Sequence, residues 1–131
     1  MSKTLKPQKI LSQLEDNKCD ALTVRLAALN SRRDKLNRAL EVVDMLLEDI
    51  IQQRERLSQD TTTALHLSTL EAVRREEMGR KRMLLAELEA MPAEEQTIKA
   101  DMFVCMNKSK AYTKLMKNKE QLQQKHVSNV E

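Results

Sequence analysis

The side chains able to do chemistry are few in this chain of 131 residues: two cysteines (Cys19, Cys105), two histidines (His66, His126), and carboxylates in adjacent pairs such as Glu76-Glu77 and Glu94-Glu95. Neither histidine has a second His, a Cys or a carboxylate at ligand spacing, so no metal site is expected. Adjacent carboxylates on a helix point to different faces. Without a concave pocket to push their pKa values apart, they give general acid–base catalysis nothing to work with. The single glycine, Gly79, excludes the glycine-rich loops on which Walker, dinucleotide-binding and kinase-type sites depend. The sequence therefore reads as a non-enzyme with no cofactor. The cysteines take two readings, small reduced core residues or the halves of a disulfide; the first is the usual one in a cytosolic protein.

The remaining chemistry is charge. Lys108, Lys110, Lys114, Lys117, Lys119 and Lys125 make the C-terminal stretch the most basic part of a chain whose formal net charge is +3. Specific nucleic-acid readout is not expected, because no arginine follows Arg82 and Tyr112 stands alone, so nothing supports base stacking. The methionines 78, 83, 91, 102, 106 and 116 take two readings as well, ordinary core or an adaptable apolar docking surface.

The elements that position these residues are helices. One Gly, two Pro, two aromatic residues and 33% charged residues exclude a sandwich or barrel, which needs frequent turns and β-branched or aromatic strands. Apolar runs span only a few residues against the roughly 20 that cross a bilayer, and the polar N-terminal stretch lacks the apolar core of a signal peptide. A cytosolic chain that does not span the membrane is expected.

Counting by sevens from Leu22 gives Leu29, Leu36, Val43, Ile50 and Leu57 without a miss, and Leu26, Leu40 and Leu47 join them four residues on, with Arg33 and Arg54 in the gaps. This is a coiled-coil seam. A second seam runs through Leu84, Met91, Ile98, Cys105 and Tyr112, accompanied by Leu88, Met102 and Met116, with Glu95 and Ser109 in its gaps. Between them Ser58-Gln59-Asp60-Thr61-Thr62-Thr63 combines capping residues with three β-branched ones. The spacing predicts an all-α fold, one long antiparallel two-helix coiled-coil hairpin. Its helices cover about residues 7–59 and 63–126, joined by a turn at about 60–63, with frayed termini; a continuous helix through the turn is the alternative. Pro7 suits the first turn of helix 1, and Pro92 predicts a kink or short break near Ala90–Met91.

A turn at Thr62 makes facing residues sum to about 124, an error of about four residues being allowed for helical register. Leu40 then faces Leu84, Leu36 faces Leu88, Leu26 faces Ile98 and Leu22 faces Met102, while Leu47 meets Glu77 and Cys19 meets Cys105. Residues 1–38 carry +5 and 108–131 carry +4, whereas 39–60 carry −4 and 61–107 carry −2. The open end of the hairpin is thus basic and the rest acidic. Either the charge is a solvated surface that happens to segregate, or the basic end inserts into an acidic or carbonyl-lined socket.

Together these features resemble the stalk proteins of type III secretion systems, the FliJ/YscO-type family. The match lies in a small, charged, nearly Gly-free helical hairpin and in the segment Tyr112-Thr-Lys-Leu-Met-Lys-Asn-Lys-Glu-Gln-Leu122, which is similar to the Leu-Met-Lys-x-Lys-Glu stretch closing the second helix of virulence-type members. Pro92 and the scarcity of aromatics set the chain apart from flagellar members. The resemblance implies a non-enzymatic cytoplasmic protein at the base of the secretion apparatus that inserts its paired helix ends into the hexameric secretion ATPase, touches the export gate and binds escort chaperones. It assigns Lys114, Leu115, Met116, Lys117, Lys119 and Glu120 to the ATPase-facing end. The alternatives are a self-assembling structural coiled coil, in which Arg33 and Arg54 would meet their own copies, and a secretion chaperone that binds export substrate through its Met-rich face.

Overall fold

No glycine or proline interrupts the chain between Pro7 and Ser58, and straight-chain residues of high helix propensity fill most of that stretch. In the computed structural model it belongs to one helix, α1 (Ser2–Gln59). A second helix, α2 (Ala64–Val130), packs antiparallel against it as an all-α two-helix hairpin, and no strand occurs among the described residues. The structure describes residues 2–59 and 64–130, with side chains for 7–57 and 64–126. The expected turn at 60–63 lies outside the described residues, as do the chain ends at residues 1 and 131.

Both helices outrun the sequence-based bounds. Helix α1 starts at Ser2 rather than Pro7, so the proline stands inside the helix. Its missing N–H costs only the bond to the residue four before it, close to an end where backbone groups already lack partners. Pro92 produces no break either, since α2 is helical on both sides of it and through it. The exposed proline ring turns away from the seam, while Met91, only 2% exposed, anchors the turn that the proline weakens. Threonines inside the helices satisfy their hydroxyls locally: Thr23, Thr69 and Thr113 each donate to the carbonyl oxygen four residues earlier at 2.9 Å.

The chain divides into two compact units. The first comprises Met1–Ala28 and Glu94–Glu131. Its apolar core is Ile98 and Cys105, flanked by half-buried Leu22, Leu26, Met102, Tyr112 and Met116. The two helical segments are joined across the seam by Ser12 to Ser109 (Oγ–Oγ 3.4 Å), by Ser109 Oγ donating to Asp16 Oδ1 (2.5 Å), and by the Cys19 thiol donating to the Met102 carbonyl (3.9 Å). The second unit, Leu29–Ala93, buries Leu29, Val43, Ile50 and Met91. Leu36, Leu40, Leu47, Leu57, Leu84 and Leu88 are half-buried around them. Ion pairs Arg32–Glu87 (3.4 Å), Asp44–Lys81 (2.8 Å) and Arg54–Glu71 (4.0 Å) cross between its helices. Five of these six bonded pairs have numbers that sum to 121–125, within the stated margin of the expected register, and Arg32–Glu87, at 119, falls five short of 124.

Three polar residues lie at the same seven-residue spacing as the apolar seam and are buried with it: Ser12, Glu15 and Glu77. Counting back by sevens reaches Glu15 from Leu22, Ser12 through Cys19 from Leu26, and Glu77 from Leu84. Glu15 is bound by Lys18 at 3.2 Å. Glu77 has one oxygen 3.5 Å from Arg80, and its other oxygen, buried, has no hydrogen-bond partner.

Candidate functional site: the lysine-rich end of the hairpin

The residues singled out near the C-terminal end of α2 divide by heptad position. Met116 and Lys119 follow Met102, Ser109, Cys105 and Tyr112 at seven-residue intervals and are half-buried along the seam. Lys114, Lys117 and Glu120 are exposed, and Leu115 is 48% exposed. The segment therefore does not present one face: Met116 belongs to the hairpin's own packing, while Lys114, Leu115, Lys117 and Glu120 are available to a partner.

Lys108, Lys110, Lys114 and Lys117 are exposed and make no ion pair among the described residues. Ser109, Lys110, Thr113, Lys114 and Lys117 line an open hollow of about 280 Å³ on α2. On α1 across the seam, Glu15 is bound by Lys18 and Asp16 accepts from Ser109. Positive charge without an internal partner, on side chains that extend into water, attracts an acidic surface and is screened over roughly 10 Å at 0.1 M salt.

A second feature of this unit escapes a search for apolar seams. On α1 the outward positions Ile10, Leu14, Asn17, Ala21, Val24 and Ala28, spaced alternately by four and three, are all exposed and all uncharged. On α2 the same holds for Thr97, Ala100, Val104, Asn107 and Ala111. In a chain one-third charged, solvent-facing helical stripes normally collect Lys and Glu. Phe103 and Met106, 66% and 47% exposed, flank the α2 stripe. The signal was present in the sequence, since the heptad count that gives the seams also gives the outward positions between them.

The remaining candidates bring no chemistry together. Among the described residues no group of three or more His, Cys, Asp or Glu could hold a metal ion. Glu76 is exposed and Glu77 buried, while Glu94 is exposed and Glu95 is bound to Lys99 at 3.0 Å, so neither adjacent pair shares a site. His66 borders an apolar hollow with Leu57 and Leu70. No helix among the described residues is long and apolar enough to cross a membrane. No family model, no curated protein and no solved structure matches the chain.

Proposed function

We propose that this protein is a non-enzymatic coupling stalk of a type III secretion apparatus, acting in the cytoplasm at the base of the machine. In this reading the lysine-rich end of the hairpin docks into the hexameric secretion ATPase, and other surfaces contact the export gate and escort chaperones. The observation that carries the reading is the set Lys108, Lys110, Lys114 and Lys117, exposed and without ion pairs among the described residues, at the helix end that bears the Leu115-Met116-Lys117-x-Lys119-Glu120 resemblance. Unpaired charge at a helix end contributes little to the stability of the hairpin itself, and it serves association with an oppositely charged surface. The uncharged outer stripes of the same unit add apolar area that a socket can cover.

The test is charge reversal. Lys114→Glu with Lys117→Glu should leave helix content unchanged, weaken binding to the purified ATPase and reduce secretion, and raised salt should weaken the wild-type interaction. A control reverses three exposed acids far from that end, Glu48, Glu76 and Glu89. Glu71 and Glu77 are unsuitable controls, because the first is held by arginines and the second is buried. If the control set abolishes ATPase binding and the lysine set does not, the docking end has been assigned wrongly.

A further inference from the structure

We propose that Cys19 and Cys105 form a redox pair that hydrogen peroxide or a similar two-electron oxidant converts into an intrachain disulfide, stapling α1 to α2 within the first unit. The inference is independent of the secretion reading. These are the only cysteines in 131 residues, they are 86 positions apart in sequence, both fall on seam positions, and their numbers sum to 124, inside the 121–125 of the bonded pairs that cross the seam of the first unit. The Cys19 thiol donates to the carbonyl oxygen of Met102, the residue one helical turn before Cys105 on the same side of α2. Cys105 is buried at 8% exposure and Cys19 is half-buried, and both are free thiols. Burial, first, and then the neighbouring Glu15 and Cys19 hold the Cys105 thiol above its ordinary range.

The asymmetry assigns the roles. Cys19, the more accessible thiol, meets the oxidant: its thiolate attacks one peroxide oxygen, the O–O bond breaks, and the products are a Cys19 sulfenic acid and water. The Cys105 sulfur then attacks the sulfenic sulfur, the S–O bond breaks, and the departing hydroxide takes the Cys105 proton as a second water. Two thiols and one peroxide give one disulfide and two waters, a balanced two-electron oxidation. The raised pKa of the Cys105 thiol lowers its thiolate fraction and so slows its attack on the sulfenic sulfur, which makes bridge formation the slower of the two steps. The bridge joins two helices that otherwise share a thin seam, and closing an 86-residue separation restricts the unfolded chain strongly.

The experiment treats the full-length reduced protein with hydrogen peroxide and reads intact mass, non-reducing electrophoresis and amide hydrogen exchange. The expected product is a monomer lighter by two hydrogens that migrates faster. Exchange should slow by about tenfold or more around residues 12–28 and 97–112 and revert with dithiothreitol, because the staple suppresses local opening. Cys19→Ser and Cys105→Ser should each lose the fast-migrating product, and Cys19→Ser should also react more slowly with peroxide than Cys105→Ser. Disulfide-linked dimers as the main product, a sulfinic acid without a crosslink, or an intrachain bridge that leaves exchange unchanged would each overturn the proposal.

Discussion

The Lys81 ammonium of α2 lies 2.8 Å from the Asp44 carboxylate of α1, in the second unit and four residues beyond buried Glu77. The pair fixes which residues face each other there, because a slip of one heptad in the register would set Lys81 opposite Asn37 or Ile51 instead of Asp44. Lys81 is one-third exposed and Asp44 about half, so water screens the attraction. A double-mutant cycle with Asp44→Asn and Lys81→Met should give a coupling of about 0.2–1 kcal/mol that shrinks in 1 M salt. A coupling of zero at low salt would mean that the two side chains are not paired in solution.

Glu77 presents the opposite case, a charge inside the seam. Its residue is 8% exposed, one oxygen reaches Arg80 at 3.5 Å, and the other is buried without a partner. An unsatisfied buried carboxylate oxygen costs roughly 1–3 kcal/mol, more than the single long ion pair returns. Glu77→Leu, which restores the apolar pattern, should therefore raise the midpoint of thermal unfolding by several degrees, a shift of about 4–8 °C per kcal/mol being usual for small domains. A lower midpoint would show that the carboxylate is doing structural work through a partner such as water.

How far the sequence carries the fold follows from the strength of each signal. Six apolar residues at seven-residue intervals, Leu22 to Leu57, leave little choice but a seam, and the two-helix hairpin follows from there. Pro7 as a helix start and Pro92 as a helix break misled, because a proline predicts an end or a break from local sterics, whereas α1 begins before Pro7 and α2 continues through Pro92 beside buried Met91. Ser12, Glu15 and Glu77 were hidden for a related reason. A search for a hydrophobic period skips polar residues, although these three keep the same spacing and are as buried as Ile50. Of the lysine-rich end, composition gives the charge and the heptad count already puts Met116 on the seam, while packing adds half-buried Lys119 to it and leaves Lys114 and Lys117 exposed.

Glu71 gives the clearest acid-sensitive group. A hydrogen bond with Arg74 (2.8 and 3.0 Å), supported by the charges of Arg74, Arg75 and Arg54, lowers its carboxyl from the ordinary 4.5 to about 2, against an opposing effect of desolvation. A carboxylate whose folded pKa lies below its unfolded one stabilises the fold above the unfolded value, and that contribution is lost as pH falls from about 4.5 through about 2. In a carbon-detected NMR titration the Glu71 carboxyl should still be ionised at pH 3.5, and Arg74→Gln should move its midpoint back up. A wild-type midpoint near 4.5 would exclude the arginine clamp.

The outer stripes of the first unit separate folding from docking more cleanly than the lysines do. Ile98 is 1% exposed in the seam, so Ile98→Ala removes buried methyl groups and should cost about 2–5 kcal/mol, in the lower part of that range because a two-helix seam can close around the gap. Val24 is 69% exposed and Val104 48%, with no seam role, so Val24→Asp and Val104→Asp should change stability by no more than about 0.5 kcal/mol each. If these uncharged stripes are covered by the partner that the lysines attract, each aspartate must be buried without a counter-charge on binding, a cost of several kcal/mol. The paired variant should then bind the ATPase at least about 100-fold more weakly, since each 1.4 kcal/mol is a factor of ten. Salt should not rescue it, whereas the lysine reversals should differ least from wild type at high salt. Unchanged binding by the folded Val24→Asp, Val104→Asp protein would restrict docking to the lysine face and leave the absence of charge along α1 and α2 without a function in that complex.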